Sequence, residues 1–202
     1  NRERIYIVCF KDKALCDNFN FDFPEVDTKP ITDFLETTID NKYYYDETST
    51  IYNELAENIT KHVSTNTIYQ YRRYYVRENK NNLVPTLTAN MGTGGHNVPI
   101  ILDDKGIRKL TPRECFNFQG FPANYQLPEL ADSVLYKQAG NSVTVELIKK
   151  IACNIVHALK QSYNIKELES TTNLATNDIN SNSYTIFPDR CHGDFYFRGI
   201  PN

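Results

Sequence analysis

The chain has 202 residues, 40% of them hydrophobic and 12% aromatic, with a formal net charge of -3 and a pI near 5.8. Such a length buries roughly 70% of its unfolded surface, enough for one domain or two small ones, and the mild negative charge excludes a protein that coats nucleic acid indiscriminately, so any DNA contact needs a local basic face. No apolar stretch reaches the roughly 20 residues that span a bilayer, and five cysteines without paired metal spacing predict reduced thiols in a cytoplasmic protein, with no metal and no membrane role.

Arg4 to Phe10 is a continuous apolar, β-branched run before Lys11-Asp12-Lys13, which predicts a strand buried on both faces of an α/β sheet. Arg2 and Arg4 leave the same face of that extended segment. Phe19 to Phe23 alternates in the manner of a half-buried strand, and Ile31 to Ile39 predicts a short helix after Pro30. Ser49 or Thr50 is placed to cap a helix whose apolar face is Tyr52, Leu55 and Ile59.

From Ile68 to Arg77 the aromatic and β-branched content predicts an extended segment that turns at Glu78 to Asn82 and returns through Val84 to Ala89. Arg72, Arg73 and Arg77 are interleaved there with Tyr69, Tyr71, Tyr74 and Tyr75. Two readings fit: a ribbon offering cations and planar groups to a DNA groove, or an ordinary sheet with tyrosines inward and arginines solvated. The loop Asn90 to Asn97 carries three glycines, which permit close backbone approach to a partner. Val98 to Leu102 and Ile107 to Leu110 then predict a hairpin around Asp103-Asp104-Lys105-Gly106.

The next block reads Arg108-Lys109-Leu110-Thr111-Pro112-Arg113-Glu114-Cys115. Thr111 and Glu114 form a Thr-x-x-Glu capping box around Pro112 at the first helical position, and Gly120 followed by Pro122 stops the helix. Val145 to Leu159 sets Val145, Ile148, Ile151, Ala152, Ile155 and Leu159 on one stripe of a longer helix. Beyond it, residues 162–202 read as a linker and tail, in which Asp189, Cys191, His192 and Asp194 have no paired metal spacing.

The capped block, closed by Gly120-Phe121-Pro122 and followed by Gly140-Asn141-Ser142-Val143, resembles the C-terminal motifs of DNA cytosine-5-methyltransferases. Arg2-Glu3-Arg4-Ile5-Tyr6 is similar to the family's arginine-bearing block, and Pro85-Thr86-Leu87-Thr88 to its Thr-Leu element. The resemblance spans most of residues 1 to 160. It implies a mixed α+β chain: a strand of the catalytic α/β, Rossmann-like domain over 1–12, a small β-rich target-recognition domain over 13–110, and closing motifs with a final helix of the catalytic domain over 111–161.

It also implies a role for each candidate residue. Arg4, helped by Arg2, faces the carbonyl of an everted cytosine; Asn141, Ser142 and Val143 lie against S-adenosylmethionine; and base and phosphate contacts are drawn from Arg72, Arg73, Arg77, Thr86, Thr88, Asn90, His96 and Asn97. The family's nucleophile sits in a Pro-Cys dipeptide, which this sequence lacks, and Cys115 lies where the family's cysteine is structural. Neither Glu57-Asn58 nor Glu78-Asn79 continues as the family's Glu-Asn-Val, and the glycine-rich cofactor loop has no match. The implied molecule is a C-terminal portion of a restriction-modification methyltransferase, inactive alone, whose partners are double-stranded DNA and an N-terminal catalytic portion or companion subunit. The alternatives are a non-catalytic DNA-specificity subunit and an unrelated tyrosine-rich interaction domain.

Overall fold

A computed structural model of the chain describes residues 4–23, 29–59, 67–72, 75–79, 83–93 and 97–162. In chain order these form helix α1 (Lys13–Asp17), 3-10 turns at Ile31–Phe34 and Asn41–Tyr43, helix α2 (Tyr52–Ile59), strands β1 (Ile68–Arg72), β2 (Tyr75–Asn79), β3 (Ile100–Asp103) and β4 (Gly106–Lys109), and helices α3 (Pro112–Phe118), α4 (Asp132–Asn141) and α5 (Val145–Ser162). The fold is mixed α and β. The chain divides into two units, one of residues 1–4 and 26–145 and the other of 5–25 and 146–202.

The first unit is built on an antiparallel sheet in the order β2-β1-β3-β4. Side chains alternate between its faces, and the register assigns Tyr69, Tyr71, Ile100 and Ile107 to one and Ile68 and Ile101 to the other. The first set packs with Ile51, Leu55 and Ile59 around α2. The second packs with Leu110, Cys115, Phe116, Leu135, Tyr136 and Ala139 around α3 and α4. Apolar layers on both faces bury these side chains, each worth about 1.5–3 kcal/mol.

The predicted hairpin at Ile68 forms with a different turn. Arg72 pairs with Tyr75 and Ile68 with Asn79, so the chain reverses between 72 and 75, whereas Glu78 and Asn79 belong to β2. No Asn-Gly or Asp-Gly pair marks that reversal, so turn chemistry pointed to the polar run downstream. The expected return strand from Val84 to Ala89 is irregular; Pro85 lacks a donor for a ladder there. The hairpin around Asp103-Gly106 forms as predicted, with the Asp103 carboxylate accepting from the Lys105 and Gly106 amides. The helix expected over Ile31–Ile39 shrinks to the 3-10 turn Ile31–Phe34.

Helix α3 begins and ends as its sequence dictates. The Thr111 hydroxyl accepts from the Glu114 amide and the Glu114 carboxylate accepts from the Thr111 amide. At the other end Gly120 takes φ +85°, its amide donates to the Asn117 carbonyl, and the Phe121 amide donates to that of Phe116. This paired closure uses the left-handed region that glycine enters without strain. Helix α4 gave little periodic signal because it is short, polar on its exposed side and carries Gly140 near its end.

The segment from Arg4 to Phe10, which from Ile5 onward lies in the second unit, is not a strand buried on both faces. Tyr6, Val8 and Phe10 are half-buried, while Ile5 and Ile7 are 90% and 81% exposed. Among the described residues no strand pairs with it; without a neighbour an extended chain has no ladder and no cover for its second face. Phe10, Phe19, Phe21 and Phe23 follow one another in tilted and edge-to-face contact, 4.9–6.3 Å between centroids. Helix α5 is present as predicted. Of the predicted stripe Ile151 is buried and Ile148, Ala152, Ile155 and Leu159 are half-buried; Cys153 and Ala158, outside that set, are buried as well. The Asn154 amide donates to the carbonyls of Asn20 and Asp22, fastening the phenylalanine segment to this helix. The predicted linker and tail, with Asp189, Cys191, His192 and Asp194, lie outside the described residues except for Ser162 at the end of α5.

Candidate nucleic-acid interface

The strand register sorts the interleaved arginines and tyrosines. Gln70 lies opposite Arg77 and Arg72 opposite Tyr75, and directly opposed residues share a face, so these four side chains project together. Arg72 and Arg77 are exposed, Tyr75 is 56% exposed, and the Arg72 Nε donates to the Gln70 Oε1 at 2.9 Å. Tyr69 and Tyr71 leave the opposite face and are buried, the Tyr71 hydroxyl donating to Glu54 at 2.8 Å. Tyr69 and Tyr71 thus pack inward as in an ordinary sheet, while Arg72 and Arg77 share the other face with the exposed Tyr75 ring. Arg73 and Tyr74 lie outside the described residues.

A turn follows on the same side of the sheet. Leu87 and Met91 pack in one cluster with Ile68, four residues, or about 13 Å, along β1 from Arg72. Thr86 and Thr88 are half-buried, alternating with buried Pro85 and Leu87, and Asn90 and Asn97 are exposed. The Met91 amide donates to the Thr88 carbonyl, and the Thr93 amide and hydroxyl donate to that of Asn90. Gly92 takes φ +80°, and a Cβ there would sit 2.6 Å from the Tyr136 ring. At Gly92 the loop closely approaches the protein's own α4. His96, Gly94 and Gly95 lie outside the described residues.

Helix α4 carries the second group of candidates to the same place. A Cβ on Gly140 would lie 2.2 Å from the Thr88 carbonyl carbon and oxygen and 2.6 Å from the Ala89 nitrogen. Helix and turn therefore touch backbone to backbone. Asn141 and Val143 are exposed just beyond, and the Ser142 hydroxyl donates to the Ala139 carbonyl at 2.7 Å, which fixes the helix end. Thr88 and Asn90 are thereby brought beside Asn141 to Val143, although the two groups are about 50 positions apart in sequence. Arg4 is exposed and Arg2 lies outside the described residues.

What holds this region is a buried charge network. Arg108, its side chain 2% exposed, meets fully buried Glu114 through two bonds of 2.8 and 2.9 Å. Its Nε donates to Asp103 at 2.6 Å, and Asp103 also accepts from the Tyr44 hydroxyl. Glu114 further accepts from the Glu36 amide at 3.0 Å, and the Thr111 hydroxyl donates to the Glu36 carboxylate. Burial alone would lower the Arg108 pKa, but the bonds and charges of Glu114 and Asp103 outweigh it and raise the value. The network ties the β3–β4 hairpin, the cap of α3 and the segment after the first 3-10 turn into one body. Cys115 beside it is fully buried, and desolvation pushes its thiol pKa up, so it packs as a small apolar residue with no nucleophilic character.

Comparison with known proteins identifies the family. A family model described as C-5 cytosine-specific DNA methylase matches residues 1–157. The chain belongs to this family. Type II methyltransferase M.Bsp6I of Bacillus sp. (strain RFL6) is 56% identical over 162 residues, 79% of this chain and 50% of that protein. M.SsoII of Shigella sonnei is 35% identical over 79% of this chain and 41% of its own length. A solved structure, the S. pombe Dnmt2 methyltransferase, overlaps 79% of the chain and 48% of its own at 16% identity and a TM-score of 0.42. The chain spans about half the length of the curated relatives it matches.

Every candidate residue, from Arg2 to Val143, falls inside the stretch matched to the C-5 cytosine methylase family. In the sequence Arg108 and Asp103 stand out only as members of the capped block and the hairpin turn, and Glu36 and Tyr44 not at all, because the importance of all four is tertiary. The available signal was weak: Arg108 and Lys109 stand together between Ile107 and Leu110, and nothing local says that the arginine is the one buried. Among the described residues no helix is long and apolar enough to cross a membrane, and no group of three or more metal-ligating side chains is present.

Proposed function

We propose that this chain is the C-terminal, DNA-target-recognising part of a DNA cytosine-5-methyltransferase of a restriction-modification system. The observation that carries the DNA-binding role is the shared face of Arg72, Tyr75 and Arg77, exposed on the hairpin beside Gln70. Two guanidiniums on one face pair with phosphate oxygens or with a guanine edge, and the ring between them supplies a planar contact. In this reading 13–110 form the recognition domain, and the first segment and final helix belong to the catalytic domain. The grouping of the first segment, from residue 5, with the final helix in one unit supports that pairing, although the same unit also takes in 13–25 and the other takes in 111–145.

The chemistry requires the cytosine to leave the duplex, because its C5 and C6 cannot be reached from both ring faces while it is stacked. Arg4, with Arg2, orients the everted ring through its carbonyl, where a fixed guanidinium also stabilises developing negative charge. Thr86, Thr88, Asn90, His96 and Asn97, with Arg73, complete the pool of DNA contacts. At the end of α4 the exposed Asn141 amide, Ser142 and the exposed Val143 offer a hydrogen-bonding edge and an apolar contact. That donor set fits one border of S-adenosylmethionine, which when bound supplies the methyl group placed on C5. The attacking thiol is assigned to a polypeptide outside this sequence, either the N-terminal portion of one enzyme or a companion subunit, and that partner would cover Ile5 and Ile7. The chain by itself is then inactive.

Mixing the chain with a polypeptide carrying the family's Pro-Cys and glycine-rich blocks tests this. Methylation of duplex DNA should appear in the mixture and in neither part alone. Methyl transfer by the isolated chain, or inactivity of a stable, folded mixture, would refute the proposal.

A further inference from the structure

We infer that Gly140 is a positioning residue, which seats the Thr88–Thr93 turn against the end of α4 and so holds Thr88 and Asn90 where they meet DNA. The inference rests on the DNA-binding reading above and adds to it the device that orients the turn.

A glycine inside a helix is normally a weakness, and alanine there favours the helix. Gly140 lies in the last turn of α4 without the positive φ that would call for glycine at a helix end. Space explains the residue. A Cβ would stand 2.2 Å from the Thr88 carbonyl carbon and oxygen and 2.6 Å from the Ala89 nitrogen, against ordinary contacts of about 3.5–4.0 Å. The obstructing atoms are backbone, so no rotamer change can relieve the overlap and the turn itself must move.

Tyr136, one helical turn earlier, grips the other end of the same segment. Its ring lies over Gly92, and its hydroxyl donates to the Leu110 carbonyl at 2.6 Å. Two glycines, one on the helix and one in the turn, thus allow a contact that larger residues would wedge apart. The turn's own bonds, from the Met91 and Thr93 amides to the Thr88 and Asn90 carbonyls, keep its shape once it is seated. Because Asn141 to Val143 begin at the next residue, the turn and the proposed cofactor border are set by the same stretch of helix.

The test compares Gly140→Ala, Gly92→Ala and the exposed-site control Lys137→Ala in the full chain. Hydrogen exchange reads the seating, and titration with a labelled DNA duplex at several salt concentrations reads its consequence. In Gly140→Ala the Met91 and Thr93 amides should exchange faster while β1 to β4 keep their protection. DNA affinity should fall about tenfold, the worth of one good contact, with the salt slope unchanged because Arg72 and Arg77 are untouched. Thr88→Ala should not rescue the variant, since the overlap is with main-chain atoms. If Gly140→Ala does not fold, Gly92→Ala carries the exchange expectation from the turn's side, since alanine is strained at φ +80° and its Cβ would press on the Tyr136 side chain. Unchanged exchange of the turn amides overturns the positioning role whatever the DNA result. A loosened turn with undiminished DNA affinity overturns its link to DNA. A parent chain that binds no duplex overturns the DNA-binding reading, and with it that link, while the exchange data still judge the seating.

Discussion

Breaking the Arg108–Glu114 pair is the sharpest test of how this molecule holds its shape. The Glu114 carboxylate accepts four hydrogen bonds, two from Arg108 and one each from the Thr111 and Glu36 amides. Glu114→Ala strands a guanidinium that is 2% exposed and retains only Asp103 on its Nε and a long bond from Nη1 to the Lys109 carbonyl. Removing one partner of a buried pair costs about 3–5 kcal/mol, and loss of the reciprocal cap lies within that range, since a cap is worth about 1 kcal/mol. Against a typical total of about 5–15 kcal/mol, a cost near 4 leaves the variant marginal. Glu114→Gln keeps an acceptor for Arg108 or Thr111 and should cost about half as much. Urea unfolding followed by circular dichroism gives these values from linear extrapolation. In a double-mutant cycle, Arg108→Met combined with Glu114→Leu should cost at least about 2 kcal/mol less than the sum of the single changes, because the two charges are no longer orphaned separately. Additive costs, or a Glu114→Ala penalty below about 1 kcal/mol, would show that the network is incidental to the fold.

Three further outcomes are expected. Replacing Arg72 and Arg77 together by alanine should weaken duplex binding and reduce the slope of log affinity against log salt by about 2, as measured by fluorescence anisotropy; an unchanged slope would place the interface elsewhere. Tyr45→Phe should raise stability by about 1 kcal/mol in the same urea assay, because the Tyr45 hydroxyl is buried with no partner among the described residues and burial pushes its pKa up to about 12; a loss of stability would reveal a bond to that oxygen. Burial would raise the Asp103 pKa, but bonds from Arg108, Tyr44 and the Lys105 amide prevail and lower it. Its stabilising contribution is therefore complete above the unfolded value of about 4 and is lost as pH falls through the lower folded value. Asp103→Asn should flatten that acid limb of the stability profile, and an identical limb in the variant would exclude Asp103 as its source.

Local chemistry was legible in the sequence wherever a feature depended on residues close along the chain. The capping box of α3 needs only Thr111, Pro112 and Glu114, its closure only Gly120, the tight hairpin only Asp103 to Gly106, and α5 only an apolar stripe at helical spacing. The family, too, was legible from short blocks, and its model matches residues 1–157. Tertiary structure decided the rest, because those features depend on what each side chain meets. The alternation in β1 and β2 could not say which tyrosines turn inward until the register placed the reversal between 72 and 75. Arg4 to Phe10 has the composition of a central strand, but composition supplies no neighbouring strand, and Ile5 and Ile7 remain uncovered. Arg108 became the centre of a network, and Gly140 a point of backbone contact, only when partners distant in sequence were folded against them. Short-range propensities set the elements, whereas burial and close packing, which act between distant residues, chose the site.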